Sequence, residues 1–342
     1  MSYLLLLLTL ISVPMEAASP DLKCNASGEF KILMISDLHY RAEPDTRGIE
    51  LTRRLIAVEK PDLVLVAGDC VTGNKNFTVA EVENAVANVA SAMEQMKTPW
   101  AVTFGNHDAE HSPKTHLGKE QMMRLYESYP HNVNAGWERA IHGVGNKNAL
   151  IWNAAGTRPV FSLWLIDSGD GAVTPEDRWD WIHTDQVLWY YETSRQVESK
   201  YGAKIPGLMF FHIPLPEFTR MVNSKKIIGE RREAEGSSTT NGGLFSAVLE
   251  RGDVKGIFCG HDHVNNYVGL YRGVALGYDG VVGYAAYPRM PDDDPSLNRS
   301  RGGRVFLIKE SDPWHFKTWM RFGDGTANWE SQSNRSLEEQ LK

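Results

Sequence analysis

Three apolar runs in the first third of the chain each stop at a short cluster of polar residues. Residues 30–35 are followed by Ser-Asp-Leu-His, residues 63–67 by Gly-Asp, and residues 100–104 by Gly-Asn-His-Asp. Runs of this length and composition are typical of buried strands. The amphipathic segments between them, 47–59 and 78–96, are long enough for helices, and this alternation predicts βαβ units with a parallel sheet.

The same pattern returns in the second half of the chain. Strands are predicted near 149–153, 159–167, 207–211 and 256–259, a helix at about 184–199 with Thr184 as its N-cap, and short β segments over 267–322. Two of these strands end at His212 and at Gly-His-Asp-His. We therefore expect two sheets packed together with helices outside, in one domain over 29–323 that precedes a polar tail, 324–342.

Composition and charge exclude several classes of protein. The 342 residues are 42% hydrophobic and 23% charged, which excludes a disordered, collagen-like or coiled-coil chain. With 36 Lys and Arg against 43 Asp and Glu, the formal charge is -7 and gives no basic footprint for nucleic acid or an anionic membrane. An anion that this protein handles must be drawn in locally, by a metal or a helix N-terminus.

The N-terminus predicts a signal peptide over residues 1–19. A Leu-rich run too short for a membrane span precedes small residues and a cleavage position near Ser19, although a buried N-terminal helix or strand is the alternative. No later run of 18 apolar residues predicts a span. Four N-x-S/T sequons support secretion with N-glycans, at Asn25, Asn76, Asn298 and Asn334. We expect a secreted or secretory-pathway protein, in the extracellular space, the cell wall, or the lumen of a vacuole or lysosome.

Three cysteines are too few for a disulfide framework, and at most one pair could form. Cys70 follows Asp69, and Cys259 lies two residues before His261. They are soft metal ligands, a redox-sensitive pair, or buried thiols packed behind the sheet, and the last interpretation is favoured. We expect Cys24 to be free.

The polar residues at the strand ends form a set with the chemistry of metal ligands. The set is Asp37, His39, Asp69, Asn106, His107, His212, His261 and His263. Carboxylate, imidazole and carboxamide donors suit Zn, Fe or Mn, and there are too many for one ion. Asp69 could bridge two ions, so the set predicts a dinuclear site. Taken singly, each has another interpretation: an Asp caps a helix or turn, His212 is a hydrogen-bonded imidazole, and Asn106 marks a turn.

In this order, the motifs resemble those of the calcineurin-like metallophosphoesterase superfamily. They are Asp37-x-His39, Gly68-Asp69, Gly105-Asn106-His107-Asp108, a single His212 and Gly260-His261-Asp262-His263. Finer features, including Ile-Asp-Ser-Gly at 166–169, resemble the short, single-domain plant purple acid phosphatases and the related fungal cell-cycle regulator phosphatases. The resemblance implies a four-layer αββα sandwich with two mixed sheets.

The resemblance also implies a role for each site residue. One metal is held by Asp37, His39, Asp69 and His263, and a second by Asp69, Asn106, His212 and His261. His107 lies outside both ligand sets and faces the scissile phosphate, with Asp108 orienting its ring. The implied cofactors are two divalent or mixed-valence ions, Fe, Zn or Mn.

Two such cations would clamp the phosphoryl oxygens and lower the pKa of a shared water, so that hydroxide attacks in line. His107 would then give a proton to the leaving oxygen. We expect a metal-dependent phosphatase acting on phosphate monoesters. Hydrolysis of diesters or nucleotides stays open, because the motifs do not separate these reactions. Loops such as 109–148 and 284–302 are expected to recognise the leaving group.

The chain departs from the purple enzymes at one position. Their motif has a tyrosine three residues after the aspartate of Gly-Asp, and its phenolate on Fe(III) gives the colour; this chain has Thr72 there. We expect a colourless protein in which His39 completes the ligands. A catalytically weak or inactive homologue, acting as a metal-binding or interaction protein, is the alternative, and retention of His107 argues against it.

A cluster of aromatic residues follows the Ile-Asp-Ser-Gly motif. Its members are Trp179, Trp181, Trp189, Tyr190 and Tyr191. We expect them to pack a helix on the sheet. A base-stacking platform would need interleaved basic residues, and few are present.

Overall fold

The computed structural model describes residues 22–224, 227–285 and 301–327. The strands are β1 (Glu29–Ile35), β2 (Leu63–Ala67), β3 (Trp100–Thr103), β4 (Lys147–Trp152), β5 (Pro159–Leu165), β6 (Gly207–Phe211), β7 (Ile227–Ile228), β8 (Val254–Cys259), β9 (Val268–Tyr271), β10 (Val274–Tyr278), β11 (Gly302–Lys309) and β12 (Phe316–Phe322). The helices are α1 (Thr46–Glu59), α2 (Val79–Gln95), α3 (Ser112–Thr115), α4 (Lys119–Glu127), α5 (Thr184–Tyr201), α6 (Glu217–Val222) and α7 (Leu244–Arg251).

The strands form two mixed sheets. One has the order β12-β11-β1-β2-β3, with β1, β2 and β3 parallel and β11 antiparallel to β1. The other has the order β4-β5-β6-β8-β10-β9-β7, with β5, β6, β8 and β10 parallel. The expected architecture of two mixed sheets with helices outside is confirmed.

Alternating side chains of each strand divide the apolar core into layers. In β1, Ile32 and Met34 pack between the sheets against residues such as Phe210 of β6, whereas Leu33 and Ile35 pack under α1 and α2. This period of two places apolar residues on both faces, as a sheet covered on both sides requires. A third cluster packs α5, α6 and α7 on the outer face of the seven-stranded sheet.

The predicted strands and helices form close to their predicted bounds, and some boundaries carry a local signal. Thr78 caps α2 and shares a reciprocal capping box with Glu81. The prediction that Thr184 is the N-cap of the next long helix was wrong by one residue. His183 is the cap, and its backbone N–H donates to the Gln186 side chain over 2.8 Å.

Two predicted segments lie largely beyond the described residues. The signal peptide, 1–19, falls outside them, and of the tail only residues 324–327 are described. The sequons at Asn298 and Asn334 also fall outside them, whereas Asn25 and Asn76 are exposed. Among the described helices, none is long and apolar enough to cross a membrane.

Candidate metal centre

The predicted ligands lie where strands of both sheets end. Asp37 follows β1, Asp69 follows β2 and Asn106 follows β3 in one sheet. His212 follows β6 and His261 follows β8 in the other. Parallel strands bring their carboxyl ends to one edge of a sheet, and the packing of the two sheets brings these two edges together.

Two groups of side chains converge there, and they share Asp69. In the first, Asp37, His39, Asp69 and His263 place ligand atoms within 4.8 Å of one another; in the second, Asp69, His212 and His261 do so. The His39 and His263 Nε2 atoms are 3.3 Å apart. His212 Nε2 lies 3.1 Å from Asp69 Oδ2 and 3.3 Å from His261 Nδ1. Two neighbouring ions could therefore bind, with one carboxylate between them.

The donor atoms of these residues fit such ions. Oxygen and imidazole nitrogen donors suit Zn, Fe or Mn. Within the described parts of the chain, the buried Oδ1 of Asn106 accepts no hydrogen bond, and Oδ1 of Asp37 faces imidazole nitrogens, the nearest being His263 Nε2 at 3.0 Å. Asn106 lies directly before His107, whose backbone N–H donates to Asp69 Oδ1 over 2.9 Å. A cation would satisfy both oxygens, because buried acceptors without partners are costly.

The electrostatics of the cluster also favour positive charge. Burial lowers the pKa of His212, but the adjacent Asp69 and Asp37 outweigh burial and raise this pKa to about 10. Burial likewise opposes ionisation of Asp37, yet His263 and His212 hold its pKa well below the usual value. The two carboxylates thus draw protons onto neighbouring imidazoles, and metal ions would supply the same charge.

The backbone is strained at four of these residues. Asp37, His39, Asp69 and His261 have φ values of 53°, 47°, 47° and 76°, in the left-handed region. Non-glycine residues there cost about 1–3 kcal/mol each, and such strain concentrates at functional sites. The turns at these residues bring the ligand side chains together.

Hydrogen bonds behind the cluster fix the orientation of its ligands. His212 Nδ1 lies 2.9 Å from the Ala67 carbonyl oxygen, so this nitrogen carries hydrogen and Nε2 faces Asp69. Ser36 Oγ lies 2.5 Å from Asp37 Oδ2 and 2.9 Å from Asp279 Oδ1. A hydroxyl has one hydrogen to donate, and burial raises the pKa of Asp279 well above its usual value. The Ser36 hydroxyl lies between these two carboxyl groups and can donate to one of them at a time, and the motif pattern predicted neither contact.

His107 stands at the edge of the cluster, outside both ligand groups. Its ring centroid is 5.4 Å from that of His39, and its Nδ1 lies 2.6 Å from Glu110 Oε1. A Cβ at Gly73 would come within 2.5 Å of His107 Nδ1, so a glycine is required beside this pair. Glu110 is the carboxylate that orients the ring.

The expected orienting role of Asp108 was wrong. Its Oδ1 accepts from the Val71 backbone N–H and its Oδ2 from the Gly105 N–H, each over 2.8 Å. Asp108 therefore ties the turns after β2 and β3 together. Burial, with a further contribution from Asp69, raises its pKa to about 7.

A cleft of about 320 Å³ opens over the cluster. Its walls include Arg178 and Trp179 on one segment, and Glu233, Ala234 and Gly236 on another. The described parts of the predicted recognition loops, 109–148 and 284–302, do not line it. Trp179 departs from the expected helix packing and meets His261 edge-on, with centroids 4.5 Å apart. Trp189 and Tyr190 do pack against Trp164, as expected.

Thr72 and the cysteines are not part of the ligand groups. Thr72 is buried and its N–H donates to the Tyr40 carbonyl oxygen over 3.0 Å. Cys24, Cys70 and Cys259 are buried and free. Cys70 and Cys259 pack in the apolar clusters, so the favoured interpretation as buried thiols is confirmed, and burial raises the pKa of both thiols well above the usual value.

Comparisons with known proteins agree with this geometry. Residues 30–265 match the family model described as calcineurin-like phosphoesterase. The chain is 33% identical to "Probable inactive purple acid phosphatase 29" of Arabidopsis thaliana, over 93% of this chain and 88% of that protein. It is 28% identical to "Phosphatase DCR2" of Saccharomyces cerevisiae, over 74% of this chain but 47% of that protein. A crystal structure of a dimetal phosphatase from Danio rerio superposes with a TM-score of 0.54 at 14% identity, covering 86% of this chain and 95% of the other, which supports the fold.

Substitution of Gly68 tests how tightly the turn before Asp69 is packed. Gly68 has φ +88°, and an added Cβ would lie 2.5 Å from His212 Nδ1; Gly202 has φ +75° with open space around it. We expect Gly202→Ala to cost about 1–2 kcal/mol from backbone strain alone. Gly68→Ala should cost more and reduce bound metal, as measured by urea unfolding and elemental analysis. Equal stability and equal metal content in the two variants would contradict this packing.

Proposed function

The chain belongs to the calcineurin-like phosphoesterase family, and from this membership we propose that it is a metal-dependent phosphatase that hydrolyses phosphate monoesters. The observation that carries the proposal is His107. It joins neither ligand group, yet it borders the cluster and Glu110 fixes its orientation. A site that only stored metal would have no use for an imidazole held in this way.

The two ligand groups would hold two ions of Fe, Zn or Mn. When bound, such ions activate water and neutralise charge on phosphoryl oxygens. Asp69 would lie between them, while His212 presents Nε2 because its Nδ1 donates to Ala67. Because Thr72 replaces a tyrosine ligand, we expect the iron-loaded protein to lack a phenolate absorption band.

His107 would act as the proton donor to the leaving oxygen. Its Nδ1 faces the Glu110 carboxylate at 2.6 Å, so Nε2 is the nitrogen left to deliver a proton into the cleft. The carboxylate fixes the direction of the ring. Proton donation matters most when the leaving group is a poor one, because the departing oxygen is then strongly basic.

A catalytically weak metal-binding or interaction protein is the second candidate. The observation that favours it is that plant relatives carry the name "Probable inactive purple acid phosphatase". The two candidates differ in turnover and agree in metal content. The decisive experiment is therefore hydrolysis of a chromogenic phosphomonoester, and of the matching diester, by protein with measured metal content. Two metals per chain without turnover on either ester would favour the second candidate.

We also propose that the protein enters the secretory pathway and carries N-glycans. The Leu-rich N-terminus and the exposed positions of Asn25 and Asn76 support this localisation.

Substitution of Asp69 and His107 separates metal binding from proton transfer. We expect Asp69→Ala to lose both metals and activity, because both groups share this carboxylate. His107→Ala should keep its metal and lose about 10²–10⁴-fold in rate, the usual contribution of a general acid. Elemental analysis and ester hydrolysis measure the two effects, with the exposed His315→Ala as control. A His107→Ala variant as fast as the parent would remove the proposed proton donor.

Substitution of Glu110 tests how His107 is oriented. We expect Glu110→Gln to slow hydrolysis of an alkyl phosphate by about tenfold or more, which is part of the contribution of a general acid. Hydrolysis of a nitrophenyl phosphate should slow much less, because its leaving oxygen is less basic. The exposed Glu120→Gln on α4 is the control. Equal loss on both esters would show that Glu110 acts only through stability.

Secretion is tested on protein from the native host. We expect the purified chain to begin near Ser19 and to lose mass on treatment with an N-glycan endoglycosidase. A cytosolic product with an intact N-terminus and no mass change would overturn the proposed localisation.

A further inference from the structure

We propose that Arg178 is a specificity-determining residue that binds a non-bridging oxygen of the substrate's phosphoryl group, and so favours monoester dianions over diesters. The inference takes its class of substrate, a phosphate monoester, from the proposed function. It concerns a residue outside the strand-end motifs, on the segment before α5.

Arg178 supplies a permanent positive charge to the cleft. Among the described residues that line the cleft, it is the one Lys or Arg, and Asp69, Glu233 and Asp262 line the same space. Its side chain is exposed, and within the described parts of the chain it forms no ion pair. A guanidinium with no carboxylate partner, in a cleft lined by carboxylates, is available to an incoming anion.

The segment that carries Arg178 is held on both sides. Before it, Asp177 accepts hydrogen bonds from the side chains of Ser238, Thr239 and Thr240, over 2.6–2.8 Å, and from two of their backbone N–H groups. After it, Trp179 forms an isolated antiparallel bridge with Gly171, and the Asp180 backbone N–H donates to the Asp170 carbonyl oxygen over 3.2 Å. Much of the ordering entropy of this loop is therefore lost on folding and need not be lost on binding.

Trp179 connects Arg178 to the metal cluster. The Arg178 guanidinium carbon lies 5.0 Å from the centroid of the Trp179 ring, and that ring meets His261 edge-on. The indole therefore limits where the guanidinium can lie, and it keeps the positive charge on the His261 side of the cleft. Substitution of Arg178 should leave the ligand residues in place, because within the described parts of the chain no hydrogen bond or ion pair joins Arg178 to them.

The position of Arg178 indicates which part of a substrate it reaches. His107 borders the cluster beside His39, whereas Trp179 borders it beside His261. The proposed proton donor to the leaving group and the guanidinium thus approach from different sides. Arg178 is placed to contact the phosphoryl oxygens rather than the leaving group.

The chemistry of the guanidinium then separates two substrate classes. Its planar donors match two phosphate oxygens at once, and the attraction grows with the charge on them. A monoester presents a dianion with three non-bridging oxygens. A diester has one of those oxygens esterified and a single charge, so it gains less from Arg178.

Titration with inorganic phosphate tests the proposal on metal-loaded protein, without requiring turnover. We expect Arg178→Gln to weaken phosphate binding by about ten- to a hundredfold, the range for a lost charge-assisted hydrogen bond, with unchanged metal content. Arg178→Lys should recover part of the affinity, since it keeps the charge and loses the fork. Arg139→Gln is the matched control, because Arg139 is also exposed and stacked on a tryptophan, Trp137, but does not line the cleft.

Kinetics on two esters give the second readout. Arg178→Gln should raise KM for an aryl phosphomonoester and lower the ratio of monoester to diester kcat/KM. Phosphate binding as tight in Arg178→Gln as in the parent, or no phosphate binding by the parent, would overturn the inference. A parent that binds phosphate through Arg178 without turnover would sustain the inference and remove the proposed catalytic function.

Discussion

Two buried carboxylates impose the main constraint on this molecule. Asp37 and Asp69 lie almost fully buried beside each other, at the ends of neighbouring parallel strands. Like charges removed from water are costly unless cations or hydrogen-bond donors compensate them. The imidazoles of His212 and His263, whose pKa values these carboxylates raise, are one form of compensation, and bound metal ions would be the other. The left-handed turns and the closely packed Gly68 bring these groups close enough for that compensation.

The strand-end pattern allowed much of the fold and the ligand set to be predicted from the sequence. A run such as 63–67 is apolar throughout because its strand is covered on both faces, and the polar residues after it must lie at the carboxyl end of the sheet. The order Asp-x-His, Gly-Asp, Gly-Asn-His and His-x-His along the chain is informative because each motif ends a different strand. Boundaries with side-chain caps, as at Thr78, were also predicted well.

The parts that could not be predicted depend on where loops direct their side chains. Asp108 and Glu110 are two residues apart, and only the conformation of the turn decides that the first binds backbone while the second reaches His107. Trp179 and Trp189 look alike as aromatic residues near a helix, yet one precedes the helix and borders the cleft. Arg178 carries no motif at all. Its proposed role depends on its place in the cleft, and that place is fixed in part by the neighbouring Asp177, which accepts hydrogen bonds from three hydroxyl side chains more than sixty positions away.

Each ligand group takes members from both sheets, and this has a consequence for the order of events during folding. His39 and His263 meet across 224 positions of sequence, so no early local structure contains either group. The entropy cost of closing a loop of this length must be met before metal coordination can stabilise the chain. Metal capture should therefore come late, after the sheets have docked. A bound ion would then mainly slow the separation of the two sheets during unfolding. It would contribute to kinetic stability and would have little effect on the rate of folding.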